Sequence, residues 1–370
     1  MSHASLRLFR LFLAAVLAVT SAPAFAAAQR TFVASYGLAA NTAFNCSIAK
    51  PCRAFSDAIG VTNPGGEVIV LDSAGYGPVS ITQSVSIIAP PGIYAGISVF
   101  NTEGVYINNG SVVLRGLSII GQGSNLNTNG IFVFDATEVH IEGCVISNLS
   151  DSGIQINPFQ GQPKVFIKDT ILRSNGLKGI FVANGDAVEV YVRDTVISRN
   201  GYGLLSSVPA GVSVVAGSAT FDHVRIESNV GNGLEVRADS GAAVRAITFR
   251  DGVISGNSDV GALAEASTGR SHMTIDHSLV ERNGAEGVLA EGGGTVTGSI
   301  ARTTITNNAS DGIAVLSGAS TAVVVSENTI THNGGCGLNR SSGVLRSRGD
   351  NTIADNGCVT SGTITPLGGF

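Results

Sequence analysis

Tryptophan is absent, methionine occurs twice, and only four of the 22 basic residues of this 370-residue chain are lysine. Charged residues make up 13% of the sequence, about half of what a soluble domain usually carries. That scarcity excludes a disordered acidic tail and a salt-bridge-laced coiled coil. No run of Lys or Arg is long enough to follow a phosphate backbone or an anionic bilayer, so nucleic acid is not an expected partner. Past the first 28 residues no segment is apolar for long enough to span a bilayer as a helix, so no transmembrane span is expected.

What is plentiful is glycine, with 48 residues and no collagen-like period, alongside 44% hydrophobic residues and a net charge of −5. Many tight turns are implied. The first segment reads as an address: His3, Arg7 and Arg10 precede the apolar run Leu11 to Val19, and small residues from Ser21 to Ala28 then suit signal-peptidase cleavage after Ala26 or Ala28. Residues 1–28 are therefore expected to be a signal peptide and residues 29–370 one domain, exported to a periplasm or beyond.

Export permits disulfides, and the five cysteines fall into two local pairs and a singleton. Cys46 and Cys52 flank a turn near the mature start. Cys336 and Cys358 lie 22 residues apart, close to the repeat length described next, so stacked coils would bring them within bridging distance. Cys144 lies in a Val/Ile strand pattern and is expected to be a buried, inert thiol. None of the spacings is that of a zinc site.

From about residue 139 one pattern recurs: a strand, an aliphatic residue, two further residues, Asn, then Gly and a second apolar strand. The aliphatic column is Ile146, Leu172, Ile197, Ile226, Ile254, Val280, Ile305, Ile330 and Ile353, its members 23 to 29 residues apart. Three residues after each but the first stands Asn175, Asn200, Asn229, Asn257, Asn283, Asn308, Asn333 or Asn356; in the first copy Asn148 comes one place early. A third column is Gly153, Gly179, Gly203, Gly233, Gly261, Gly287, Gly312 and Gly337. A period of about 25 residues holds three short strands and three turns, one coil of a parallel β-helix. Stacking would then put Asn on Asn at a repeated sharp turn, where Asn tolerates the left-handed backbone and bonds to its neighbours.

Leucine-rich repeats share part of this element, but their next apolar residue falls two positions after the Asn. Here it falls four or five after, and no copy has room for an amphipathic helix. A membrane β-barrel needs longer strands. Residues before 139 repeat the chemistry less regularly: Val68 to Leu71, Val85 to Ile88, Val105 to Ile107 and Val112 to Leu114 read as strands, Gly75 to Pro78 as a turn, and Ala54 to Ile59 as a short capping helix with Phe55, Ala58 and Ile59 on one face.

Carried by the Asn and Gly columns and by the segment Pro51-Cys52-Arg53-Ala54-Phe55, the chain resembles secreted proteins with right-handed parallel β-helix repeats, in the pectate-lyase-like superfamily. The resemblance covers nearly all of the mature chain. It implies an all-β, single right-handed parallel β-helix with a short N-terminal cap, in a superfamily of polysaccharide lyases, pectin hydrolases, uronan epimerases, phage tailspikes and proteins of no known activity. The hydrolase strings Asn-Thr-Asp, Asp-Asp, Gly-His-Gly and Arg-Ile-Lys are absent, as is the epimerase string Asp-Pro-His.

Candidate chemistry sits beside the Gly column. Glu286 and Asp311 occupy one position in successive coils, so about 5 Å should separate their Cα atoms; such carboxylates could act as a catalytic pair or hold Ca²⁺ with Asp259. Lys178, Arg237 and Arg340 could serve as bases. The outward positions of the following strand are expected to be Gln155, Phe181, Leu205, Glu235, Leu263, Leu289 and Ala314, a partly apolar ladder flanked by Arg237, Glu265 and Glu291. With Lys178 and Glu235 these residues could line a glycan groove. His223 and His277 share a turn position in coils two apart, too far to share a metal directly. The sequence points to a non-catalytic polysaccharide-binding or structural protein of the cell surface or periplasm; the alternative is a carbohydrate-active enzyme, a lyase, hydrolase or epimerase, on an acidic polysaccharide.

Overall fold

The computed structural model describes residues 27–123, 127–202, 209–239, 241 and 243–368. The expected signal peptide, but for its last two residues, lies outside the described residues, as do Gly203 and Leu205. Each coil contributes one strand to each of three parallel sheets, as in Lys164–Lys168, Ile171–Arg173 and Lys178–Val182. Among the described residues the first sheet has 14 strands and the second and third 12 each, all ordered by chain position. The crossovers are right-handed, the sense favoured by strand twist. Strands meet their equivalents in the next coil in register, for example Val165 with Val190, Ile146 with Leu172, and Ile154 with Ile180, the first strand alone shifting register between Ala28 and Arg30 among the described residues.

Inward Val, Ile and Leu form one continuous buried core running the length of the solenoid. The Asn column is buried from Asn175 to Asn333, and each side chain binds the next: Asn200 donates to Asn229 Oδ1 from its backbone N–H at 3.0 Å and from Nδ2 at 2.9 Å. The left-handed residue is not the Asn itself, as expected from the sequence, but the one before it: Ser174, Arg199, Ser228, Arg282, Asn307, His332 and Asp355 all have φ near +55°. Asn148 occupies that left-handed position (φ 60°), so Leu149 takes the ladder site in its coil and donates its N–H to Asn175 Oδ1 at 3.3 Å.

The Gly column marks a close approach between coils. A Cβ at Gly287 would stand 2.7 Å from the carbonyl oxygen of Gly312 and 2.6 Å from Cγ2 of Ile305. One member differs from the sequence expectation. Ile180 pairs with Val212, 32 residues on, against 26 back to Ile154; the longer connection puts Gly211, not Gly203, in the column.

At the N-terminal end the helix Phe55–Ile59 buries Phe55, Ala58 and Ile59, while the strand Ala28–Val33 adds an edge to the first sheet. Ala28, the first residue of that strand, donates its N–H to the Val61 carbonyl at 2.9 Å. Gly75 to Pro78 is not a plain surface turn: Ala74–Gly75 is a short strand against Ala95–Gly96, and Tyr76 is buried against Phe55, ring centres 5.2 Å apart. Cys46 bonds to Cys52, both fully buried, and Cys336 bonds to Cys358, its register partner in the last coil. Cys144 is free and buried, and burial pushes its thiol up to about 11.

Candidate functional site

The third sheet presents an outward column that runs Ser80, Tyr106, Phe132, Gln155, Phe181, Ser213, Glu235, Leu263, Leu289, Ala314 and Asn339. Alternation dictates this, since the flanking Val105 and Ile107 or Ile154 and Ile156 point into the core. Ser213 stands where Leu205 was expected, because the longer connection described above shifts the strand.

The column divides into three stretches. At the N-terminal end lies an aromatic ledge: Tyr106 stacks 5.8 Å from Phe132 and 5.9 Å from Phe134, and Phe134 lies 6.0 Å from Phe159 at an interplanar angle of 6°. Phe159 is 70% exposed and the other three rings are half-buried. A cleft of about 420 Å³ opens beside the ledge, lined by Ser56, Pro78, Thr102, Glu103 and Tyr106. Burial pushes the Glu103 carboxyl up, although Asn129 donates its N–H to it.

The middle stretch is charged. Lys178 is 6% exposed, with Nζ 4.5 Å from the centre of the Phe181 ring. Burial holds its pKa below the usual amine value; the charges of Glu235 and Asp151 oppose that shift and Arg237 adds to it. Glu235 is 2% exposed and accepts hydrogen bonds from Ser213 Oγ at 2.8 Å and Asn232 Nδ2 at 3.0 Å. Asn232 Oδ1 is buried without a hydrogen-bond partner among the described residues. Burial raises Asp151, while Ser152 Oγ–H and the charge of Lys178 lower it. Arg237 faces its register partner Glu265 at 3.3 Å.

In the C-terminal stretch the structure departs from the expected apolar ledge. Leu263, Leu289 and Ala314 are 7%, 6% and 0% exposed, because Val260 and Ala285 from the preceding turns and Leu316 pack over them. Glu265 and Glu291 pair in register at the rim. Burial raises Glu291, and the charges of Glu265 and Glu286 raise it further.

Glu286 and Asp311 do hold equivalent positions in successive coils, Gly287 N–H donating to the Asp311 carbonyl at 2.9 Å. Their carboxylates have separate partners. Asp311 is 8% exposed and accepts from Cys336 N–H and Asn339 Nδ2, both at 2.6 Å, which ties it into the disulfide-closed coil. Glu286 accepts from Ser310 Oγ at 2.9 Å. Asp259 is exposed, and its backbone aligns with Ala285 and Ser310, one position away from the Glu286 column. No group of three close metal-ligand side chains includes Asp259 among the described residues. Arg340 is half-buried and donates from Nε to the Gly343 carbonyl at 2.9 Å.

The aromatic ledge escaped the sequence reading, although Tyr106, Phe132 and Gln155 are spaced 26 and 23 residues apart. Continuing the register upstream from Gln155 would have found it.

In comparisons with known proteins, the sequence profile described as "Right handed beta helix region" matches residues 58–219 and 210–364. No curated protein matches the sequence significantly. Among solved structures, the A-module of the mannuronan C-5 epimerase AlgE4 of Azotobacter vinelandii superposes with a TM-score of 0.64 at 16% identity, covering 83% of this chain and 91% of that one. XylC in complex with xylose gives a TM-score of 0.51 at 10% identity over 84% of this chain and 69% of that one. The periplasmic alginate epimerase AlgG gives 0.50 at 11% identity over 82% and 79%. At such identities the likeness is one of fold.

Proposed function

We propose, because the chain belongs to the right-handed β-helix family, that it is an exported protein that lays a polysaccharide along the outward face of its third sheet. The observation that carries this reading is the run of stacked, solvent-reaching rings Tyr106, Phe132, Phe134 and Phe159 leading into the Lys178 and Arg237 cations on one continuous face. Sugar rings dock on aromatic faces with polar groups beside them, and a strand repeat of about 4.8 Å makes a long, straight ledge suited to a chain molecule. Lys178 and Arg237 are the cations an acidic glycan would meet, each already set against carboxylates, Glu235 and Asp151 beside Lys178 and Glu265 beside Arg237. Solved neighbours of the same fold, named as an alginate and a mannuronan epimerase and a complex with xylose, support a carbohydrate ligand.

A second reading, a lyase or epimerase, is favoured by Lys178. An amine whose pKa burial lowers is closer to the neutral form that can take a proton from a carbon beside a uronate carboxylate, with Arg237 placed to pair with that carboxylate. Glu286 and Asp311 are the alternative catalytic pair.

The test is titration of the mature protein with alginate, polygalacturonate and neutral glucans, with and without Ca²⁺, together with absorbance of unsaturated uronates and NMR of the residue epimers. Saturable binding to an acidic glycan, weakened in Phe132→Ala, supports the binding reading. Product formation lost in Lys178→Met establishes the enzyme, and loss in Glu286→Gln and Asp311→Asn instead moves the chemistry to that pair. A folded protein that binds none of these glycans overturns the proposal.

A further inference from the structure

The turn between the first and second sheets carries one left-handed residue per coil: Asp169, Asp194, His223, Asp251, His277, Arg302 and Glu327, with φ between 47° and 54°. Identical turns stacked about 4.8 Å apart aim successive side chains at one another. In three consecutive coils those side chains are His223, Asp251 and His277, and Asp222 stands next to the first. Ligand atoms of Asp222, His223 and Asp251 all lie within 4.8 Å of one another. The sequence alone placed His223 and His277 too far apart to share an ion; the structure supplies Asp251 between them.

Hydrogen bonds already draw the group together. His223 Nδ1–H donates to Asp222 Oδ1 at 2.7 Å, and His277 Nδ1–H to Asp251 Oδ1 at 2.6 Å. Arg250 occupies the other Asp222 oxygen at 3.0 Å, which leaves Oδ1 for the site. His223, Asp251 and His277 are open to solvent, so an ion reaches them without rearrangement of the core.

We propose that Asp222, His223 and Asp251 bind Zn²⁺, with His277 as a positioning residue that orients Asp251 from the following coil. Two carboxylate oxygens and one imidazole nitrogen are a donor set for Zn²⁺, with water completing four-coordination. The nitrogen donor disfavours Ca²⁺ and Mg²⁺, which take oxygen ligands. On binding, the proton that His223 Nδ1 donates to Asp222 is carried on Nε2 instead, so the neutral ring offers its Nδ1 lone pair to Zn²⁺ with no net loss of a proton. The site ties consecutive coils together on a turn outside the glycan face, so it neither needs nor implies carbohydrate binding.

The test is calorimetric titration of the metal-stripped full chain with ZnCl₂, alongside thermal melts with and without the metal. The expected result is about one equivalent of Zn²⁺ bound with Kd on the order of 10 μM and a higher Tm in its presence. His223→Ala and Asp251→Asn each weaken binding by about tenfold or more, and His277→Ala by several-fold. CaCl₂ at the same concentration gives no saturable heat. These side chains lie on the surface, so the metal-free melting of the variants matches that of the parent and loss of binding is not loss of fold. Absence of saturable Zn²⁺ binding to the parent chain, or undiminished binding in both His223→Ala and Asp251→Asn, overturns the proposal.

Discussion

Asn257 Oδ1 accepts two hydrogen bonds from Asn229, one from its backbone N–H at 3.0 Å and one from Nδ2 at 2.9 Å. Both donors are buried, so neither has water as a substitute. Asn257→Ala is expected to strand them and to cost about 2–6 kcal/mol of unfolding free energy, at about 1–3 kcal/mol for each unsatisfied buried group. Urea unfolding of the variant against the parent measures this.

A methyl group is enough to disturb the Gly column. Gly287→Ala places a Cβ against the Gly312 carbonyl and the Ile305 side chain at contact distances that only a backbone shift relieves. A loss of about 1–3 kcal/mol is expected by the same measurement. Gly65→Ala, where nothing lies within 4 Å of the added carbon but φ is 78°, isolates the separate cost of a left-handed backbone.

On the third sheet, Phe132→Ala is expected to lower affinity for a bound polysaccharide by about fivefold, from the loss of roughly 1 kcal/mol of ring contact. The ring is half-buried on the outer face, so Tm changes little. Isothermal titration with the best glycan checks the first statement and a melt checks the second.

The N-terminal cap should carry an acid-sensitive contribution. Asp72 accepts from Ser35 N–H at 2.8 Å and from Tyr76 O–H, and although its burial opposes ionisation, these bonds and the charge of Arg53 bring its pKa below 3.8. A carboxylate lowered on folding binds fewer protons in the native chain than in the unfolded one. Its stabilisation is therefore present above pH 3.8 and lost as pH falls through the lower, folded value. Asp72→Asn is expected to cost about 1–2 kcal/mol at pH 7, a difference that closes in strong acid when unfolding is followed from pH 7 to pH 2.

Cys144, with a thiol pushed up to about 11 by burial, is expected to be inert to a disulfide reagent at neutral pH until the chain unfolds. A thiol assay with and without guanidinium reads this directly.

The Ile, Asn and Gly columns were legible because stacking forces like residues onto like positions, so a one-dimensional spacing reports a three-dimensional contact. The same logic failed where a connection lengthens. Gly203 and Gly211 both precede apolar residues, and only the alternation in Ala210-Gly211-Val212-Ser213-Val214 marks the second as the strand. Spacing also did not show side-chain direction. Glu286 and Asp311 have the expected register, yet the Asp311 carboxylate turns to Cys336 and Asn339. Likewise His223 and His277 were legible as turn residues, while the bridging place of Asp251 follows from its backbone at φ 53°, one residue after the first-sheet strand that ends at Arg250.

The asparagine ladder points one way. From Asn175 to Asn333 each residue offers its backbone N–H and Nδ2 to the Oδ1 of the following coil, never of the preceding one. A finished coil therefore displays a ready two-donor socket, and only the next stretch of chain to arrive can fill it. Such a solenoid is a vectorial template, built most easily in the order in which a polypeptide emerges from a ribosome or a membrane pore. Each added amide also polarises those behind it, so the dipoles of the column sum along the axis and bind later coils more firmly than early ones.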